Sequence, residues 1–347
     1  VTDAAGQPRG GTPAVLLETR GLTRHFRIGG LRGHLLHAVD NLDLAITERE
    51  IVALVGESGS GKSTVARLLA MVYRPTSGVI SFRGRPISTL RRRHQVLAYR
   101  AQVPMVFQDP FSSLNPAHTI GYHLFRGLKL HRPELNRHQR QSEAERVLEV
   151  AGLVPPAAIM TKYPYELSGG QRQRVGFAQA LSYRPKLILA DEPVSMLDVS
   201  IRIGLLNVMT RLREDEGVSL LYITHDIASA RYVSDRVLVM YAGNLVEQGP
   251  TDDVLHNPVH PYTRLLLSAV PDPRAKMSIT SADVGEPPRV IDPGEGCRFR
   301  WRCPLAIDVC ARVTPHLRPA SPGHEAACHV TAPADAAAGS PPATPWT

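Results

Sequence analysis

A chain of 347 residues, 43% hydrophobic and 21% charged, has room for one substantial core and a smaller appendage, and no apolar run approaches the roughly 18–20 residues that a membrane span requires. The 40 Lys and Arg against 32 Asp and Glu leave a formal net charge of +8, which suits phosphate ligands or an anionic membrane surface. The densest basic cluster, Arg91, Arg92, Arg93 and His94, lacks the interleaved aromatics that stack bases, which argues against a nucleic-acid partner.

Residues 1–14 are polar and Gly-containing, without the charged-then-apolar order of a secretion signal, so a flexible N-terminus and a cytosolic location are expected. The alternation in Val15–Arg20 predicts an edge strand, and Ala38–Ile46 alternates likewise. Ile51–Val55 is a continuous apolar run of the length of a strand buried on both faces; it stops at Gly56, and Ser63–Met71 then reads as a helix. Pro75–Gln102 reads as short strands and basic turns. Arg137–Ala151 carries helical spacing through Ala144, Val147, Leu148 and Val150, and an α-rich insert is expected around it. Buried-strand runs return at Leu187–Ala190, Ser219–Ile223 and Arg236–Met240, with a helix at Ile201–Arg213 between the first two. Strands alternating with helices predict an α/β fold built on a parallel sheet. After Leu267, Pro271, Pro273, Pro288 and Pro293 break up any long element, and residues 331–347 have the Ala/Pro/Gly-rich composition of a disordered tail. No internal repeat is visible.

Gly56-Glu57-Ser58-Gly59-Ser60-Gly61-Lys62-Ser63-Thr64 fits GxxxxGK[ST], and it stands where that motif must, after a buried strand and before a helix. Glycines at 56, 59 and 61 let the backbone bend so that successive N–H groups point inward, and the helix beginning near Lys62 adds its positive end. Lys62 is placed to reach the β- and γ-phosphates and Ser63 to ligate Mg²⁺. Asp191-Glu192 follows the buried run Leu187–Ala190, so both carboxylates sit at the end of a parallel strand, where ligands of open α/β sheets bind. Asp191 is the candidate Mg²⁺ ligand and Glu192 the candidate base for an attacking water. Leu167-Ser168-Gly169-Gly170-Gln171 precedes a helical stretch, Arg172–Ser182, and offers a hydroxyl and glycine N–H groups at a helix N-terminus, a second anion site.

With these strings the sequence resembles the ABC (ATP-binding cassette) ATPase family over about residues 15–270. The resemblance implies a P-loop NTPase cassette, a mixed sheet core with an α-helical subdomain at about 110–180, and ATP with Mg²⁺ as ligands. It also implies head-to-tail pairing of two cassettes, in which Ser168, Gly169, Gly170 and Gln171 serve a nucleotide held by the partner. By the same resemblance Phe26 stacks on adenine, and His225 contacts the γ-phosphate. Gln108, in Val106-Phe107-Gln108-Asp109-Pro110, senses Mg²⁺ together with Ser63 and Asp191, and also senses the transporter's coupling helices. Asp198, in Ser195-Met196-Leu197-Asp198, belongs to the loop that crosses the dimer interface, although the family usually has a small residue where this chain has Met196. ABC ATPases outside transport carry two cassettes or large insertions, neither of which is seen here, and a nucleotide-switch P-loop protein would lack Leu167–Gln171.

Cys297, Cys303, Cys310 and Cys328 are the four cysteines, with five, six and seventeen residues between successive members. A reducing compartment disfavours disulfides and leaves free thiols, zinc or an iron–sulfur cluster. Zinc sites commonly use pairs two to four residues apart, and none occurs; the wider spacing and the Cys303-Pro304 pair favour a cluster. His260-Pro261-Tyr262-Thr263, then Leu265-Leu266-Leu267 and the cysteine segment, resemble the C-terminal extension of oligopeptide and dipeptide importer ATPases. That resemblance implies an ATP-binding domain over 15–267, an irregular extension over 268–330 and a [4Fe–4S] cluster on the four cysteines. It further implies a paralogous second ATPase subunit, two transmembrane permeases, an extracytoplasmic peptide-binding protein, and a peripheral position on the cytoplasmic face of the cell membrane. Peptide is the implied cargo, with nickel or another small solute left open because other subunits read the cargo.

Overall fold

The computed structural model describes residues 14–29, 33–109, 114–268 and 290–332; the leader expected over 1–14 and the tail expected over 331–347 lie almost wholly outside them. The chain begins with β1 (Val15–Ile28), β2 (His34–Thr47) and β3 (Ile51–Val55), then α1 (Lys62–Leu69), β4 (Ser77–Phe82), β5 (Arg85–Pro86), α2 (Arg93–Gln102) and β6 (Met105–Val106). Helices α3 (Ile120–His131), α4 (Arg137–Val150), α5 (Pro156–Thr161) and α6 (Gly169–Ser182) follow. Then come β7 (Leu187–Asp191), α7 (Val199–Glu214), β8 (Ser219–Thr224), α8 (Ile227–Val233), β9 (Arg236–Tyr241) and β10 (Asn244–Pro250). The described chain closes with α9 (Thr251–His256), α10 (Pro261–Ser268), β11 (Arg318–Ser321) and β12 (His324–Ala326).

Two sheets result: an antiparallel one in the order β2-β1-β4-β5, and a larger one in the order β11-β12-β10-β9-β3-β8-β7-β6. Within the larger sheet β9, β3, β8, β7 and β6 are parallel, as alternating strands and helices require. All five residues of β3 are buried. Ile51, Ala53 and Val55 face a core shared with α3, α4, α6 and α7, while Val52 and Leu54 face a second core built from α1 and the antiparallel sheet. A strand covered on both faces has to be apolar throughout, and each fully buried Val, Leu or Ile side chain contributes about 1.5–3 kcal/mol.

Two sequence expectations are corrected. β1 is not an edge strand but runs between β2 and β4; alternation reports which face is buried and says nothing about how many neighbours a strand has. The stretch read as basic turns contains the helix α2, which buries only Tyr99 and Ala101 and so carries almost no apolar period.

The C-terminal segment joins the larger sheet, because β12 pairs antiparallel with β10 through Glu247↔Ala326 and Gln248↔Glu325. Glu247 is fully buried. It accepts hydrogen bonds from the N–H groups of Val259 (2.7 Å) and His260 (2.9 Å) and is paired with His324 Nε2 at 2.7 Å. His260 in turn caps α10, its Nδ1 accepting from Tyr262 N at 3.0 Å.

Candidate functional site

Four adjacent parallel strands, β3, β8, β7 and β6, end on one side of the sheet, and each is followed by a candidate residue. Gly56 follows β3, His225 follows β8, Asp191 ends β7 and Glu192 follows it, and Gln108 follows β6. The crevice at the carboxyl ends of parallel strands is where open α/β sheets bind ligands.

The turn after β3 is built on glycines. Gly56 and Gly61 stand at φ 152° and 105°, and a Cβ on either would fall on a carbonyl oxygen, that of Met240 or that of Ala38. Only glycine lets the backbone close this tightly. Lys62, the first residue of α1, is buried, and its Nζ donates to the carbonyls of Gly56 (2.7 Å) and Glu57 (2.8 Å). Burial lowers its pKa, and the carboxylates of Glu192, Asp191 and Glu57 partly restore it. Ser63 Oγ donates to Asp191 Oδ1 at 2.8 Å. Burial raises the pKa of Asp191, the bond from Ser63 opposing it. The hydroxyl and carboxylate form a pair of hard oxygen donors of the kind Mg²⁺ takes.

Glu192 lies beside them at φ 47°, in the left-handed region that non-glycine residues seldom occupy. Its N–H donates to Ile223 O at 2.9 Å, which ties the turn to β8. Gln108 Nε2 donates to Glu192 Oε2 at 3.2 Å and to Ser195 Oγ at 3.3 Å, and His225 Nδ1 lies 3.2 Å from the same Glu192 oxygen. Two residues distant in sequence, Gln108 and His225, thus meet on the Glu192 carboxylate. Phe26, near the end of β1, stands edge-on to Tyr73 with centroids 5.4 Å apart, and Arg24 lies 4.4 Å over its ring. Ser58 and Gly59 are exposed at the loop's tip, while Ser60 is buried and Thr64 N donates to Gly61 O at 2.9 Å.

Ser168, Gly169, Gly170 and Gln171 begin α6. Ser168 caps it reciprocally with Gln171: Gln171 N donates to Ser168 Oγ (3.2 Å) and Ser168 N to Gln171 Oε1 (3.0 Å), a capping box. Ser168 and Gly169 are exposed, and Gly170 packs against Ile201 of α7 so closely that a Cβ would clash. Asp198 is the exposed residue before α7; Met196 and Val199 beside it are 67% and 70% exposed, high values for apolar side chains next to a functional motif.

Cys297, Cys303 and Cys328 are half-buried and Cys310 is buried, all with free thiols. Burial pushes the Cys297 thiol up to about 11, with Cys310, Cys328 and Cys303 adding to the effect. Backbone N–H groups serve three of the sulfurs: those of Phe299 and Leu305 act on Cys297 and Cys303, and that of Thr331 donates to Cys328 Sγ at 3.5 Å. Among the described residues, His25, His37 and Asp40 form the one group with three donor atoms within 4.8 Å of one another. The Asp40 carboxylate there is already ion-paired with Arg298.

Sequence reasoning missed three features. Tyr262 Oη accepts from Glu57 N at 2.9 Å, and Arg302 pairs with the Glu57 carboxylate; no spacing rule signals partners 205 and 245 residues apart. The third is a groove of about 190 Å³ between β6 and α6, lined by Met105, Phe107, Gln173, Gln179 and Tyr183. Its one trace in the sequence is Phe107, an aromatic that ends 41% exposed.

Residues 39–195 match the family described as "ABC transporter", and residues 246–310 match "Oligopeptide/dipeptide transporter, C-terminal region". The chain is 43% identical over 321 residues to a peptide import ATP-binding protein of Brucella ovis, covering 91% of this chain and 98% of that one. It is 41% identical over 322 residues to the oligopeptide transport ATP-binding protein AppF of Bacillus subtilis, covering 91% and 97%. Among solved structures it resembles the dimeric ATP-binding cassette MJ0796 bound to ADP and Pi, with TM-score 0.61 and 27% identity over 68% of this chain and 99% of that one. A phosphate-binding turn, a carboxylate pair and a capped signature helix on a parallel sheet accord with these likenesses, and the chain belongs to the ABC transporter ATP-binding family and is an ATPase.

Proposed function

We propose that this ATPase powers an importer of di- or oligopeptides from the cytoplasmic face of the membrane. The observation that carries the cargo class is the C-terminal region matched to oligopeptide and dipeptide transporters, which is built into the ATPase sheet through β12 and β10. No helix among the described residues is long and apolar enough to cross a membrane; in this reading separate permeases form the translocation path. The groove beside Phe107 and Gln108 is a place for a permease helix to dock, next to the residue that touches Glu192. An extracytoplasmic binding protein would deliver the peptide.

In this reading Lys62 and the N-terminus of α1 hold the β- and γ-phosphates, Phe26 stacks on the adenine, and Glu192 takes a proton from the attacking water while His225 and Gln108 orient it. Ser63 and Asp191, with Gln108 as a further candidate ligand, would hold Mg²⁺, which when bound would supply charge neutralisation for the transferred phosphoryl group. No covalent intermediate is needed. The exposed Ser168 and Gly169, beside exposed Met196 and Val199, support a head-to-tail dimer in which this face covers a partner's nucleotide, and the similar cassette MJ0796 is dimeric with ADP and Pi. Whether that partner is a paralogue follows from which subunits co-purify.

In this reading the four cysteines would hold a [4Fe–4S] cluster, although no three of their sulfurs lie within 4.8 Å of one another. Backbone N–H groups aimed at three sulfurs are the kind of contact that tunes such clusters. Bound, the cluster would cross-link the extension.

Reconstitution with its permeases and binding protein in proteoliposomes tests the importer reading. ATP-dependent peptide uptake that disappears with Glu192→Gln is the expected result; ATP-dependent uptake of nickel but not of peptide would move the cargo assignment.

A further inference from the structure

The C-terminal segment reaches back to the phosphate loop. Arg302 places Nη1 and Nη2 at 2.8 and 2.9 Å from the two carboxylate oxygens of Glu57, the second residue of that loop. The pair is mostly buried, with side-chain exposures of 12% and 23%. A two-pronged guanidinium–carboxylate contact fixes orientation as well as distance. Beneath it Tyr241, Tyr262 and Phe299 pack ring against ring, with centroids 4.5–5.5 Å apart, and Tyr262 Oη accepts from Glu57 N. Glu57 is therefore gripped at its side chain and at its N–H, and its carbonyl is one of the two that hold Lys62 Nζ.

Arg298, on the same turn, donates to Ala242 O and to Asp40. Asp40 N donates to Gly243 O and Gly243 N to Ser60 O, each at 2.9 Å. One short segment, bounded by Cys297 and Cys303, thus braces the phosphate loop at Glu57 and, through Gly243, at Ser60.

We propose that Arg302 is a positioning residue of the ATPase: by its fork on Glu57 it sets the phosphate loop and the resting place of Lys62, and so governs the affinity for nucleotide. It touches neither substrate nor reacting atoms and acts through Glu57.

The test uses the full chain, with a fluorescent ATP analogue for affinity and phosphate release for turnover. Arg302→Ala and Glu57→Gln should each weaken affinity about tenfold, the size expected for a charge-assisted pair. The double variant should be no weaker than either single one. KM for ATP should rise while kcat stays within about twofold, whereas a residue that only holds the fold together would lower the active fraction, hence kcat, and leave KM alone. Arg302→Lys keeps the charge without the fork and should recover only part of the affinity. Wild-type affinity in Arg302→Ala, or losses that multiply in the double variant, would overturn the proposal. Should Arg302→Ala not fold, Arg302→Lys is combined with Glu57→Gln instead: a loss that Glu57→Gln does not deepen supports the link, and wild-type affinity in Arg302→Lys overturns it.

Discussion

Gln108 Nε2 donates to Glu192 Oε2 across 3.2 Å, although the two residues are 84 positions apart in the chain. His225 Nδ1 approaches the same oxygen at 3.2 Å, so this carboxylate is held from two sides while its backbone stands at φ 47°. A non-glycine residue keeps such an angle only where its surroundings impose it. Here the bond from Glu192 N to Ile223 O does so, aiming the carboxylate over the crevice.

Glu192→Gln preserves the shape and the bond from Gln108 but removes the proposed base. Turnover is expected to fall about a hundredfold, within the usual range for loss of a general base, with ATP affinity unchanged within about twofold. Phosphate release and analogue binding measure the two separately. Retention of more than about a tenth of the wild-type rate would count against Glu192 as the principal base.

Ser168 has two tasks that separate experimentally. Its capping of α6 is local, and Ser168→Ala should cost about 1 kcal/mol of stability, read by denaturant unfolding. Its proposed nucleotide task is exercised on a partner's ATP, and on that reading the isolated monomer should bind ATP as wild type does while turnover in the assembled transporter falls at least tenfold, the loss of one phosphate donor. A drop in affinity in the monomer would show that Ser168 serves its own chain's nucleotide instead.

Much of the fold could be read from the sequence wherever local pattern and global role coincide. Ile51–Val55 is apolar at every position because it is covered on both faces, and Gly56 and Gly61 are glycines because any side chain would strike a carbonyl. The helix α2 escaped because two buried residues in ten make no period, and β1 was misplaced because its neighbours are a matter of sheet order. Asp191 and Glu192 were legible as strand-end residues, Gln108 and His225 only through the family resemblance, and their meeting follows from the adjacency of β3, β8, β7 and β6. The brace from Arg302 to Glu57 was not legible, since the separation of 245 residues leaves no periodic trace.

The cysteine assignment is open to direct chemistry. Protein purified without oxygen should carry about four iron atoms per chain and a broad absorbance near ~400 nm, and Cys303→Ser should diminish both. One bound zinc in place of iron would replace the cluster assignment with a zinc site. Neither metal would leave the thiols free, and the proposed cross-link would be withdrawn.

His260 makes the join between the ATPase sheet and the C-terminal segment sensitive to acid. It is 2% exposed, and burial lowers its pKa from 6.5 to about 4, with Glu247 pulling the other way. In the unfolded chain the imidazole takes up a proton below about 6.5, while in the folded chain it resists protonation until about 4. Between these values the unfolded state binds more protons, so stability is full above about pH 6.5 and is lost progressively as pH falls towards 4. The difference corresponds to about 3 kcal/mol. His260→Asn keeps a side-chain acceptor for Tyr262 N, because asparagine is a good N-cap, but cannot titrate. Urea unfolding at pH 7, 5.5 and 4.5 should therefore show the variant less stable than wild type at pH 7 and approaching it at pH 4.5. Every other ionisable group is common to both proteins, so the changing gap between the two isolates His260, and parallel pH profiles would remove it as the source of acid sensitivity.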